Sequence, residues 1–320
     1  MKVFIAGASG VLGRRLIRQL TARGHSVIGL VRSSKADGAV RAMGGEPRHA
    51  DLFDAESLAR AADGCDTVVH AATAIPTMQQ PAPADWAMND RIRRKGTRCL
   101  TEAAAKIGAK TYLQQSIVWV ARPKDESAFD EDSPAVPDPA IQSAIDAETI
   151  AREAGSVDGF SVAILRGGYF YDSESAHTRM LADALRKRQM PIIGTGDAGW
   201  VMVHTDDAAS AFVAVAEQPK KGVWHVVDNE LVTVRAFLGE FAARLAARPP
   251  RRIPTWLAGW LAGEQAVDYF TRSTRTTNAR LRRDFGWTPR YLTYREGLNQ
   301  IVAAWNTESS RAAAASASAG

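Results

Sequence analysis

The segment Gly7-Ala8-Ser9-Gly10-Val11-Leu12-Gly13 follows the apolar run VFIA and opens the amphipathic stretch VLGRRLIRQLTARG. A glycine triplet between a strand and a helix can hold a pyrophosphate. Gly7 permits the tight turn, Gly10 lets backbone approach the phosphates, and Gly13 allows close packing of helix on strand. Ser9, Val11 and Leu12 complete the turn and the helix N-terminus, whose dipole and free N–H groups favour an anion. The second apolar run ends Leu30-Val31-Arg32-Ser33-Ser34-Lys35 and offers no acid for a ribose 2′-hydroxyl. A guanidinium pairs with a 2′-phosphate in bidentate fashion, so Arg32 points to NADP(H), with NAD(H) use left open. Asp206 and Asp207 have no obvious partner for a carboxylate dyad, and Cys65 and Cys99 match no metal-ligand spacing, so no metal is expected.

The surrounding pattern explains how such a loop is positioned. Short apolar strands (KVFIAG, HSVIGLVR, DTVVHAA, KTYLQQSI, FSVAILR) alternate with helical stretches, the last of them Ala140 to Ala154. That alternation predicts right-handed crossovers and a parallel sheet covered on both faces, a doubly wound α/β Rossmann fold. Residues 1–166 form the expected dinucleotide-binding core, with residues 167–307 a smaller, mainly helical substrate region holding returning strands near 200–229. A final strand is expected at VVDN, near 226–229, and RAAAASASAG within 308–320 reads as a frayed, flexible tail.

At 320 residues and 46% hydrophobic, the chain can bury a sizeable core. The formal net charge of +5 is dispersed over helical segments without aromatic interleaving, so no nucleic-acid partner is expected. Two cysteines suit a reducing cytoplasm. No apolar run reaches about 18 residues, so no membrane partner is expected either. A small molecule is the expected partner, and the oligomeric state is not legible.

The glycine spacing resembles that of the short-chain dehydrogenase/reductase superfamily in its extended or atypical branch, and the resemblance runs from about residue 1 to 300. Asp51-Leu52 matches the pair that holds the adenine in that family. His70-Ala71-Ala72 matches the segment under the pyrophosphate and ribose, and Leu165 to Tyr171, with Gly168, the strand and loop facing the nicotinamide. In the family a serine and a Tyr-x-x-x-Lys pair carry the chemistry. The serine is matched by Ser116 at the end of TYLQQS, whereas counting back from Glu148 places Ala144 at the lysine and Ala140 at the tyrosine. No change of register restores the pair. The tyrosines are 112, 169, 171, 269, 291 and 294, and the residues four places on are Ser116, Ser173, Ser175, Ser273, Arg295 and Leu298.

A positioned general acid contributes typically about 10²–10⁴-fold, a minority of usual enzymatic acceleration, so its loss does not end hydride transfer. The resemblance extends to atypical reductases of bacterial antibiotic pathways and implies an NADPH-dependent ketoreductase for a bulky, polycyclic aromatic polyketide ketone. Its proton would come from substrate or water, with Ser116 contacting the carbonyl. Tyr169, Tyr171, Trp200 and His204 are the candidate substrate contacts, and core packing competes for each. An NADP-binding sensor or scaffold is the alternative. A sugar-nucleotide epimerase or dehydratase ranks last, because it needs the missing base.

Overall fold

The computed structural model describes residues 1–78 and 81–318. In chain order the first elements are β1 (Lys2–Ala6), α1 (Val11–Ala22), β2 (Ser26–Val31), α2 (Ser34–Ala42), β3 (Glu46–His49), α3 (Ala55–Ala61) and β4 (Thr67–His70). Then come α4 (Ala87–Arg91), a π-helical turn (Ile92–Gly96), α5 (Thr97–Lys106), β5 (Thr111–Ile117), α6 (Gln142–Asp158) and β6 (Ser161–Gly167). Next are β7 (Tyr169–Tyr171), α7 (Ala176–Arg186), β8 (Ile192–Ile193), β9 (Gly199–Trp200), β10 (Met202–His204), α8 (Thr205–Glu217) and β11 (Gly222–Val226). The chain ends with β12 (Val232–Thr233), α9 (Val234–Arg244), β13 (Arg252–Ile253), α10 (Thr255–Ala262), α11 (Glu264–Thr271), α12 (Ala279–Phe285) and α13 (Tyr294–Ser318).

Contacts divide the chain into two compact units. The first takes Met1–Gly168, Thr205–Val227 and Thr276–Pro289. It is built on a seven-stranded sheet in the order β11-β6-β5-β4-β1-β2-β3, every pair parallel. Strands buried on both faces must be apolar throughout, and Val3, Phe4, Ile5 and Ala6 of β1 are all fully buried. Helix α1 packs on α8, where Arg15 Nε meets Asp206 Oδ1 at 2.5 Å, so Asp206 is tied into a structural ion pair. The strand order reverses direction between β1 and β4, the switch point at which open α/β sheets take ligands.

The second unit takes Tyr169–His204, Asp228–Arg275 and the chain from Arg290. Its core gathers Tyr171, Trp200, Met202, Phe237, Phe241 and Leu298. Two-stranded pairings β7–β10, β9–β12 and β8–β13 tie its segments together.

Three elements differ from their expected bounds. The last sheet strand is β11 at Gly222–Val226, not the VVDN stretch, because Asp228 already donates its N–H to Met202 outside that sheet. Helix α6 begins at Gln142, two residues late, because Asp138 Oδ1 accepts the N–H of Ala140 at 2.9 Å and turns the chain there. The alanine-rich stretch expected as a flexible tail continues α13 to Ser318, in keeping with alanine's high helix propensity. Residues 319 and 320 lie outside the described residues. Among the described residues no helix is long and apolar enough to cross a membrane.

Candidate active site

Five strand ends of the first unit present the residues expected at the cofactor. After β1, Gly7 adopts φ +89°, and a Cβ there would stand 2.6 Å from the backbone of Ala71 and Ala72 after β4. A Cβ on Gly13 would lie 2.1 Å from the Gly7 carbonyl oxygen. Both positions therefore need glycine for closeness, and Gly7 also for its left-handed conformation. Gly10 donates its N–H to the Gly7 carbonyl at 2.9 Å and caps α1 in extended conformation, without a side-chain cap and with no acid in the first turn. The leading N–H groups of α1 are left for an anion, and the exposed Ser9 stands beside them. Val11 is half-buried, while Leu12 is buried and contributes through its backbone. This cradle fits a dinucleotide pyrophosphate.

Arg32 follows β2 directly and is exposed, with no hydrogen-bond or ion-pair partner among the described residues. Its neighbour Ser33 is occupied as the N-cap of α2. After β3, Asp51 Oδ1 accepts the Phe53 N–H at 2.9 Å, and Leu52 packs inward. Gly168, after β6, donates its N–H to Val226 at 3.0 Å.

Ser116 lies in register with Arg166 on the neighbouring strand, and Glu148 reaches down from α6 onto both. The serine hydroxyl donates to Glu148 Oε1 at 2.6 Å. Arg166 grips the same carboxylate with Nε (2.8 Å) and a terminal nitrogen (2.7 Å), and Arg152 adds a fourth donor at 2.7 Å. Burial works against the charge of Glu148, but the Arg166 hydrogen bonds and charge, with Ser116 and Arg152, hold its carboxyl below the usual range. From sequence alone Glu148 has no role beyond fixing the positions of Ala140 and Ala144. Its link to Ser116 depends on strand register and spans 32 residues, so no local signal reveals it.

Ala144 is 2% exposed on α6, whereas Ala140 is exposed in the turn before it. Beside Ala144, Ser143 Oγ accepts from Arg93 of the π-helical turn at 3.3 Å, and no carboxylate stands within ion-pair distance of that half-buried guanidinium among the described residues. Arg93 is a second residue that sequence reasoning missed; a π-helical turn, frequent at functional sites, leaves no pattern in the sequence.

In the second unit three of the four expected substrate contacts, Tyr171, Trp200 and His204, are buried. Tyr171 is 1% exposed and donates its hydroxyl to Asp228 Oδ2 at 3.0 Å. His204 is fully buried beside Tyr171 and Tyr291, with Nε2 3.2 Å from Gln300. Trp200 is buried and stacks on the half-buried Tyr169, whose phenol burial pushes up to about 12. Packing accounts for Tyr171, Trp200 and His204, and Tyr169 is the least enclosed of the four. Among the described residues no cluster of metal ligands occurs.

The sheet order and glycine cradle define a dinucleotide-binding Rossmann fold, and with the family and reductase relatives that follow the chain is an NAD(P)H-dependent oxidoreductase of the extended short-chain type. Residues 3–227 match the NAD dependent epimerase/dehydratase family, and the chain belongs to it. It is 34% identical over 310 residues to a 3-diazoavenalumate denitrifying reductase of Streptomyces sp, covering 94% of this chain and 100% of that protein. It is 29% identical over 246 residues to the 4-hydroxy-2-methyl-3-oxo-4-farnesyl-3,4-dihydroquinoline-1-oxide ketoreductase of Stigmatella aurantiaca, covering 74% and 71%. The human epimerase family protein SDR39U1, solved with NADPH, shares the fold with a TM-score of 0.77 at 20% identity, covering 94% of this chain and 99% of that one.

Proposed function

We propose that the protein is an NADPH-dependent ketoreductase acting on a bulky, polycyclic aromatic ketone of polyketide type, with the proton drawn from the substrate's own hydroxyl or from water. What supports a likeness to the angucyclinone ketoreductase of simocyclinone biosynthesis is the glycine loop, Arg32, Ser116 and the absence of a Tyr-x-x-x-Lys pair. The observation that carries the reading is the fate of the proton donors: position 144 is a buried alanine, position 140 an alanine in a turn, and the Ser116 hydrogen is held by Glu148. The nicotinamide, when bound, supplies the hydride. The α1 N-terminus would hold the pyrophosphate and Arg32 the 2′-phosphate. Arg93, lacking a carboxylate partner, would stabilise negative charge that develops beside α6. Tyr169 is retained as a wall against the aromatic ligand.

Mixing the protein with NADPH and an aromatic polyketide ketone tests the reading, with loss of NADPH absorbance as the signal. Turnover should survive Ser116→Ala in reduced form, and its complete loss would rule out a proton supplied by substrate or water alone. Arg32→Ala should weaken NADPH binding by about 10-fold or more, the scale of hydrogen bonds to a charged group, and leave NADH binding unchanged. Equal losses for both cofactors would remove the 2′-phosphate assignment.

A second reading rests on the 34% identity to the denitrifying reductase. Hydride addition to an aromatic diazonium carbon with departure of dinitrogen balances without a proton, so it too tolerates the missing acid. NADPH-dependent gas release from an aromatic diazo acid, with no turnover of ketones, would favour it.

A further inference from the structure

We propose that Ser116 serves as a hydrogen-bond acceptor for a hydroxyl group of the substrate, and that Glu148 is the positioning residue that fixes this polarity. The inference rests on the ketoreductase reading and names a feature its substrate must carry. A serine hydroxyl has one hydrogen and two lone-pair directions. Here the hydrogen goes to Glu148 Oε1 at 2.6 Å, within the short range of a bond to an ionised acceptor.

Glu148 cannot return the favour. Its carboxylate, 1% exposed, accepts Ser116 and Arg166 Nε at Oε1, and terminal nitrogens of Arg166 and Arg152 at Oε2. All four bonds run inward to the carboxylate. Turning the serine hydrogen toward a ligand carbonyl would strip one donor from a buried charge, an arrangement that costs more than a neutral bond returns. What Ser116 can still offer is its lone pairs, at the carboxyl end of β5 where ligands meet open α/β sheets. A carbonyl or ether oxygen placed there meets another acceptor and is repelled, whereas a phenol or carbinol hydroxyl is bound. The serine therefore selects hydroxylated ketones.

Glu148→Gln should reverse the polarity. The new amide nitrogen must face donors, and it conflicts with one arginine N–H at the Oε1 position but with two at the Oε2 position. It should therefore take the Oε1 position, donate to Ser116 and free the serine hydrogen.

The test measures binding by calorimetry to the NADP-loaded protein, using monohydroxylated 1-tetralones with the hydroxyl at each ring position, each against its own methyl ether. At one position at least, the hydroxy ketone should bind about 10-fold or more tightly than its ether, the scale of one unpaired acceptor. Ser116→Ala should erase that ratio, Ser116→Thr should keep it, and Glu148→Gln should erase or invert it. A ratio near one at every position for the native protein, or a ratio that survives Ser116→Ala, overturns the inference while leaving the reductase intact. A Ser116→Ala loss confined to NADP affinity does the same. Failure of every ketone to bind overturns the ketone reading together with the inference. Thermal melts accompany each variant. If Glu148→Gln does not fold, the Ser116→Ala and Ser116→Thr pair decides the outcome.

Discussion

The double substitution Ala140→Tyr with Ala144→Lys should destabilise the protein by about 3–6 kcal/mol and should not accelerate ketone reduction, although it writes the family's missing pair back into the chain. Ala144 is 2% exposed on the face of α6 that packs toward β5 and the π-helical turn. A lysine there adds a long side chain where only a methyl group fits. Its ammonium would also be buried near Arg93, which already reaches Ser143, while the nearby carboxylates on α6 are engaged: Asp146 is held by Arg94 at 2.6 Å and Glu148 by Ser116, Arg166 and Arg152. Overpacking and an unpaired buried charge act in the same direction. The tyrosine fares no better. Position 140 is in the turn before α6 begins, so a phenol there does not sit one helical turn above residue 144 as the four-residue spacing implies. Urea titration of the variant beside the native protein, with NADPH turnover on the same ketone, measures both effects. A variant as stable as the native protein and faster in reduction would show that α6 can host the relay after all.

That contrast marks what could be read from the residues alone. The alternation of strands and helices and the Gly7, Gly10, Gly13 spacing are local patterns, and the seven-stranded parallel sheet and its glycine cradle follow them. The absence of any Tyr-x-x-x-Lys is likewise a property of the string. Where the string misleads is in supposing that spacing keeps its meaning once secondary structure shifts: two residues at the start of α6 separate Ala140 from the helix. The Ser116, Glu148 and Arg166 cluster arises from the pairing of β5 with β6, a long-range register that periodicity does not encode. Tyr171, Trp200 and His204 have the chemistry of a pocket wall, yet each finds its partners in the core of the second unit. An aromatic residue near a loop looks the same from sequence whether it faces a ligand or other aromatics.

Acid should unfold the first unit earlier than its carboxylates alone would require. His70 and His225 are 1% and 0% exposed, and each has one ring nitrogen without a hydrogen-bond partner among the described residues, Nδ1 of His70 and Nε2 of His225. Burial dominates both, with the charge of Arg93 adding at His70 and that of Arg166 at His225; it pushes His70 down to about 4 and His225 down to about 3. The folded protein thus keeps both rings neutral at pH values where the unfolded chain, titrating near 6.5, takes up protons. Stability is complete above about pH 6.5 and falls as pH drops toward 4, by several kcal/mol over the pair, since each pK unit is about 1.4 kcal/mol. Glu148, held below its ordinary range, adds its loss only below about pH 4.5, once unfolded glutamate begins to protonate. His225→Gln should flatten the slope of unfolding free energy between pH 6.5 and 4, and leave the steeper fall below 4.5 in place. A native protein equally stable at pH 6.5 and pH 4.5 would mean that the two rings do accept protons while folded. The position of His70 gives the effect a functional edge: it ends β4, and the next residues, Ala71 and Ala72, form the surface against which Gly7 makes its turn. In the folded protein the His70 ring charges only as pH falls to about 4, and that charge should loosen the pyrophosphate cradle, so that cofactor affinity declines near pH 4, at the bottom of the window over which stability is lost.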